Sequence, residues 1–335
     1  MSESENTYSA ITPGQKWLLW IFAGAAYGVF LRFVFGALPA SVTNNGVMSA
    51  AFLLGAPIAA GAFAVYALPE EKKSLRLAIF SPWAAVGLML LGCAVTMLEG
   101  LICIALLSPI FFICGSVGGL AMYAIQRIST RNGTNLGVFA LLPAVLLAGE
   151  SVIPLSNQDL QIRRSVIIDA SPERVWGEIV VARDIQPHEL PFSVTHAIGV
   201  PRPVEGVNRQ TQEGEVRFSV WERGVRFQGV VRERREFQVI HWDYEFDSHS
   251  FPPGSMDEHV AIGGRFFDLR DTRFELDEIK PGQTELVIVA KYRVSSTINF
   301  YAVPAAKFLG HDFVRTILGL YKHRSESVEN QASIG

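Results

Sequence analysis

Polar and apolar positions divide the chain sharply. Five apolar stretches come first, roughly Trp17–Leu38, Val47–Leu68, Ala78–Leu98, Leu101–Ile125 and Leu136–Leu155. Each approaches the ~20 residues that a bilayer core asks of a helix. They predict an all-α transmembrane bundle of five helices. Four is the alternative, because Pro143 and Glu150 interrupt the fifth stretch. Beyond Asn157 the pattern changes. Alternating runs appear at Arg163–Ala170, Glu215–Trp221, Val225–Arg235, Val239–Phe246, Arg265–Ile279 and Glu285–Ser295. Period-two alternation is the mark of strands with one buried face. Ile240, Trp242, Tyr244 and Phe246 share such a face, with His241 and Asp243 on the other. Ser171-Pro172-Glu173 predicts a helix start, with Ser as cap and Pro in the first position. Ile298–Arg324 predicts a long terminal helix whose apolar side carries Tyr301, Ala305, Phe308, Leu309, Thr316, Ile317, Leu320 and Tyr321.

Charge sharpens the division. Seven Lys+Arg and six Asp+Glu precede Asn157, against 22 and 26 from there on, so residues 1–156 form a membrane domain and 157–335 a globular one. The net charge of −3 offers no basic stripe, so nucleic acid is not an expected partner. Cys93, Cys103 and Cys114 sit in apolar runs and imply neither a disulfide framework nor a zinc site. No metal-ligand spacing, dinucleotide fingerprint or nucleophile elbow is present, so no metal, cofactor or catalytic residue is assigned. No small-residue cleavage site follows a short apolar core, and a removable signal is not read.

Lys72, Lys73 and Arg76 lie between the second and third stretches, and Arg127 and Arg131 between the fourth and fifth. The positive-inside rule puts these loops and the N-terminus in the cytoplasm. Five spans then carry the C-terminal domain outside; four would keep it inside. Arg32, Glu99 and Glu150 fall near span ends. The favoured reading is a snorkelling Arg32 with Glu99 as a turn residue; a buried tie between Arg32 and a carboxylate is the alternative. Gly24 with Gly28, and Gly115 with Gly119, predict close packing within the bundle.

The opening strand, the Ser-Pro-Glu-x-Val-Trp helix start, the strand meander and the long last helix together resemble the START-like superfamily. It is also called SRPBCC and includes polyketide cyclase, pollen-allergen and lipid-transfer members. The resemblance is carried by Val166–Trp176 and Tyr292–Tyr321 and spans roughly Gln161–Arg324. It implies an α+β helix-grip domain with a mostly apolar cavity. The membrane half lies outside it and departs from the usual soluble pattern. Candidate wall residues are Trp242, Tyr244, Phe274, Tyr292, Phe308 and Ile317. Asp268 and Arg270 would add a polar spot, unless a bulge turns them outward, and His311 would offer an acid–base group on the helix beside Asp312. The expected function is membrane-anchored binding or transfer of a lipid or other hydrophobic small molecule, with membrane lipids as partners. One alternative is a cyclase or dehydratase using His311 or Asp268. The other is a membrane-bound interaction or stress-response protein with no small ligand. Neither ligand identity nor oligomeric state is legible.

Overall fold

The computed structural model describes residues 12–39, 45–128, 132–150, 155–212, 214–257, 259 and 261–332. The chain forms two compact units, one of Met1–Gly100 with Ile104–Pro154, the other of Leu101–Cys103 with Leu155–Gly335. The apolar stretches become helices α1 (Pro13–Ala37), α2 (Ala56–Tyr66), α3 (Leu75–Val95), α4 (Leu101–Ile128) and α5 (Asn132–Glu150). Of these, α1, α3 and α4 are long and apolar enough to cross a membrane. Helix α2, extended backward by a π-helical turn over Ala51–Gly55, and α5 are shorter. The helices are apolar all round, so Phe22, Phe33, Leu91 and Ile113 remain exposed, as lipid-facing side chains do. A reciprocal capping box between Thr12 and Gln15, with Pro13 in the first position, sets the start of α1.

Small residues let these helices touch. A Cβ on Gly118 of α4 would lie 1.9 Å from the carbonyl oxygen of Ile58 on α2, so there the two backbones meet directly. Gly24 faces Ala60 and Gly119 faces Ala78 in the same manner. Hydrogen bonds add to the packing: Trp17 Nε1 donates to the Ala64 carbonyl at 2.9 Å and Gln126 Nε2 to that of Tyr66 at 2.8 Å.

The ionisable residues at the helix ends are buried and used. Arg32 and Glu99 form a buried ion pair, and Arg32 also donates to the Leu98 carbonyl, so Arg32 does not snorkel and Glu99 is more than a turn residue. Glu150 has another role. Its carboxylate accepts from the N–H groups of Ala50 and Ala51, both at 2.9 Å, and from Asn45 Nδ2 at 3.3 Å. It thereby satisfies donors left open at the start of a helix, where the helix dipole favours negative charge.

The second unit contains β1 (Ser156–Ile168), α6 (Pro172–Val180), β2 (Val181–Ala182), α7 (Val194–Ala197), β3 (Pro203–Thr211), β4 (Gly214–Trp221), β5 (Arg226–Arg235), β6 (Val239–Glu245), β7 (Phe267–Lys280), β8 (Gln283–Ser296) and α8 (Asn299–Ala332). The strands make one eight-stranded sheet in the order β1-β8-β7-β6-β5-β4-β3-β2. All neighbours are antiparallel, and β1 closes the far edge by pairing with β8 from Ser156↔Ser296 to Ile168↔Thr284. The sheet curls, and α8 packs on β1 and β8. Ile240, Trp242, Phe274, Leu276, Leu286, Ile288 and Ala290 on the inner face bury against Val175, Trp176 and Ile179 of α6 and Val314, Leu318 and Tyr321 of α8.

Two local details differ from the sequence reading. Helix α6 starts where expected with Pro172 in its first turn, but Ser171 makes no side-chain cap bond to the backbone; its hydroxyl pairs with the Glu173 carboxylate. Helix α8 continues to Ala332, so Arg315, Lys322 and Arg324 lie mid-helix, away from its negative end. Its phase also shifts. Asp312, Val314, Thr316, Leu318, Leu320 and Tyr321 are buried, whereas Phe308 is 60% exposed.

Gly118→Val would drive its side chain into the α2 backbone. It should cost about 3 kcal/mol, read as a lower melting temperature in detergent. Gly87→Ala, whose new Cβ meets nothing within 4 Å, should not lower it.

Candidate ligand-binding site

The interior of the second unit packs as two clusters. The first lies beneath α6 and along α8 from Ala302 to Tyr321. The second unites Trp221, Val225, Phe227 and Ile262 with Phe246, Phe251, Met256 and Phe313. Tyr244, Phe267 and Leu269 border both clusters. Register puts Phe267 beside Val294 and Leu269 beside Tyr292, so both project from the inner face. Yet Tyr244, Phe267, Leu269, Phe313 and Ile317 are only partly buried. Side chains in a close-packed interior are covered on all sides. These are not, and they form a layer of incompletely covered apolar side chains.

Two polar groups border the layer without partners. Tyr292 is 3% exposed and packs on Phe267 at 5.6 Å between ring centroids. Its hydroxyl has no hydrogen-bond partner among the described residues, and burial pushes its pKa up to about 12. It is therefore a protonated donor across the ordinary pH range. His196 on α7 is 9% exposed, with its ring 5.7 Å from that of Phe313. Its Nδ1 lies 2.9 Å from the Val200 carbonyl, which can only accept, so in the neutral ring Nδ1 carries the proton. Nε2 is then a lone-pair acceptor, and it too has no partner among the described residues. Burial holds the pKa of His196 below its usual value and keeps the ring neutral.

Asp312 fixes α7 on α8. Its Oδ2 accepts from Ser193 Oγ at 2.6 Å and Thr195 N at 2.9 Å, while Arg315 donates to Oδ1 at 2.7 Å. Thr195 Oγ1 completes the clamp by donating to the Leu309 carbonyl at 3.0 Å. Burial would raise the pKa of Asp312, but the donors from Ser193, Thr195 and Arg315 outweigh it and hold the carboxyl down at about 2.

Arg217 on β4 is 5% exposed with no carboxylate among its recorded partners. It donates to the Ile179 carbonyl at the end of α6, to Asn208 Oδ1 at 3.1 Å and to the Tyr321 hydroxyl at 3.3 Å, and lies 5.2 Å from the Trp242 ring. The negative end of α6 offsets its charge. Gly206 makes the space, since a Cβ there would fall 2.2 Å from Nη2 of Arg217.

The sequence-derived candidates scatter. Tyr244, Tyr292 and Ile317 border the partly buried layer. Trp242 and Phe274 stack on each other at 5.2 Å inside the first cluster. Phe308 and His311 lie on the exposed side of α8, and the His311 carbonyl takes a hydrogen bond from Arg164 at 3.3 Å. Asp268 and Arg270 also fall outside the layer. A bulge between Leu269 and Asp271 adds one residue and reverses the alternation, so Thr272 and Phe274 follow Leu269 on the inner face. Asp268 pairs with Arg293 at 3.6 Å and Arg270 with Asp159 at 3.6 Å. His196, Asp312 and Arg217 were not among the candidates. The first lies on a helix too short to show periodicity, Arg217 is a charge that strand alternation assigns to solvent, and Asp312 is one that hydropathy assigns there.

On the outer face, His241 Nε2 lies 3.3 Å from Asp271, close to Asp243. Arg232 holds Asp243 at 2.8 Å and Lys291 holds Asp271 at 3.7 Å, so this is a charge ladder already neutralised by cations. A depression of about 490 Å³ near the ends of β4 and β5 is lined by Glu205, Arg209, Arg226, Glu245 and Asp247 among others, and by no residue of α8.

An antiparallel sheet curled on a terminal helix, with β1 returning beside β8, defines the architecture. The second unit has a helix-grip-like fold. Among solved structures, the chain is similar to a START superfamily protein from Mycobacterium smegmatis, at 14% identity over 50% of this chain and 98% of that one, TM-score 0.35. It is similar to the Zhui aromatase/cyclase from a Streptomyces species at 11% identity, covering 52% and 96%, TM-score 0.31. The di-domain aromatase/cyclase BexL matches at 15% identity, covering 63% and 61%, TM-score 0.31. No family profile and no curated protein matches the chain.

Because the folded pKa of Asp312 lies below the ordinary 3.8, its contribution is fully present above about pH 5 and is lost as pH falls toward 2. Asp312→Asn should cost about 2 kcal/mol at pH 7. Denaturant unfolding of wild type and variant should converge near pH 2.

Proposed function

We propose that this protein is a membrane-anchored binder of a hydrophobic small molecule, held between the curled sheet and α8. The observation that carries the reading is the layer of inward yet partly buried Tyr244, Phe267, Leu269, Phe313 and Ile317. A guest that hides about 200 Å² of apolar surface there gains about 5 kcal/mol at ~25 cal/mol per Å², before the losses of association. Anchoring by the apolar helices supports the same reading, because a tether to the bilayer raises the effective concentration of lipid-soluble ligands. The exposed position of His311 and the pairing of Asp268 with Arg293 favour binding over the cyclase alternative.

The expected test is native mass spectrometry of the full chain in detergent, followed by organic extraction. Wild type should carry an apolar molecule, and Leu269→Trp, which fills the middle of the layer, should lose at least tenfold in occupancy without a lower melting temperature. Recovery of nothing from wild type, together with a strongly destabilised Leu269→Trp, would mean that the interior is solid and the reading wrong.

The charged loops and five apolar helices support a C-terminal unit on the extracytoplasmic side. Protease added outside intact cells should then cleave the unit. Cleavage only after lysis would favour four spans and a cytoplasmic domain.

A further inference from the structure

Resting on the ligand-binding reading above, we infer that the guest is an apolar molecule bearing a hydroxyl, whose proton is accepted by Nε2 of His196, with the Tyr292 hydroxyl as a second anchor. A hydrocarbon or a donor-free ester would be the poorer ligand.

The argument starts from the fate of each polar atom near α7. The Ser193 hydroxyl is committed to Asp312 and that of Thr195 to the Leu309 carbonyl. The ring of His196 is oriented by the Val200 carbonyl at Nδ1, and its backbone by the bond from His196 N to Ser193 Oγ at 3.3 Å. The imidazole is thus held from both ends with only Nε2 unused. Phe313 lies against the ring, Trp221 lies against Phe313 at 5.4 Å, and the charges of Arg202, Glu222 and Asp312 are near enough to act on the imidazole. Phe313 itself belongs to the partly buried layer. Tyr292, packed on Phe267, carries another unpartnered group.

Buried polar groups normally have hydrogen-bond partners, and an exception calls for a cause. Six other buried side-chain atoms of this domain, Trp242 Nε1 among them, also lack a partner among the described residues, whereas Arg217 and Asp312 meet that rule. His196 and Tyr292 do not, and both border the surface assigned to the ligand. A neutral imidazole fixed through Nδ1–H accepts at Nε2 and donates nothing there. The partner it selects must bring a proton of its own. Sites built to bond a substrate hydroxyl discriminate strongly against the analogue lacking it.

The test uses the full chain in lipid nanodiscs, with empty discs as reference, titrated with 1-naphthol and 1-methoxynaphthalene. Wild type should prefer naphthol at least tenfold. His196→Phe should bind the two alike, with methoxynaphthalene held within twofold of its wild-type affinity. His196→Gln, whose amide oxygen accepts at similar reach, should recover part of the preference. Tyr292→Phe should weaken naphthol but keep its preference. Equal affinities in wild type, or a preference that survives in His196→Phe, would overturn the inference while leaving the hydrophobic site in place. Failure of wild type to bind either probe would overturn the ligand-binding reading, and this inference with it. The wild-type comparison decides even if the phenylalanine variant does not fold.

Discussion

One helix cannot cover the inside of an eight-stranded sheet. With strands ~4.8 Å apart the sheet is about 34 Å wide, whereas a helix with its side chains is about 10 Å across. Helix α8 takes β1 and β8, and α6 adds cover over the first cluster. Farther along the sheet the aromatic side chains of β4, β5 and β6 pack largely on one another. Bulges between Val231 and Glu233 and between Leu269 and Asp271 interrupt the register of these strands, and such interruptions strengthen local bending and twist. Incomplete cover follows where the two packed regions meet, and that is where Tyr244, Phe267 and Leu269 stand.

The outer face of the sheet covers its apolar residues with charge. Val287 and Val289 of β8 are buried there, although the face looks away from α8. In the register, Arg163 and Arg273 flank Val289. Their aliphatic stems can cover it while their heads join Glu275 and Glu233. That surface is apolar beneath and charged above. Inside, the charged groups serve the scaffold: Arg217 closes the end of α6, and Asp312 binds α7 to α8. A neutral imidazole and a phenol are among the groups left unmatched among the described residues.

The apolar half of the chain obeys the same accounting of buried polar atoms. Glu150 satisfies the opening N–H groups of the π turn before α2, and Arg32 meets Glu99 and a carbonyl. Both therefore work as joints between helices.

The division into an apolar helical half and a charged half of strands was readable from the chain, because lipid and water impose opposite compositions. Strand alternation also placed Trp242, Tyr244 and Tyr292 on the inner face, since a side-chain period of two is set by the backbone alone. The terminal helix and the opening Ser-Pro-Glu-x-Val-Trp start were enough to suggest a helix grip. What the chain could not reveal depends on long-range contact. One inserted residue at Arg270 sent Asp268 and Arg270 outward. The phase of α8 was decided by Ser193 and Thr195, some 117 to 119 positions away from Asp312, which stabilise a buried carboxylate that hydropathy assigns to water. His196 became a buried acceptor only when its loop was fastened beside Phe313. Periodicity reports which face a residue shares with its near neighbours; burial of a polar group is settled by partners that only the folded chain brings together.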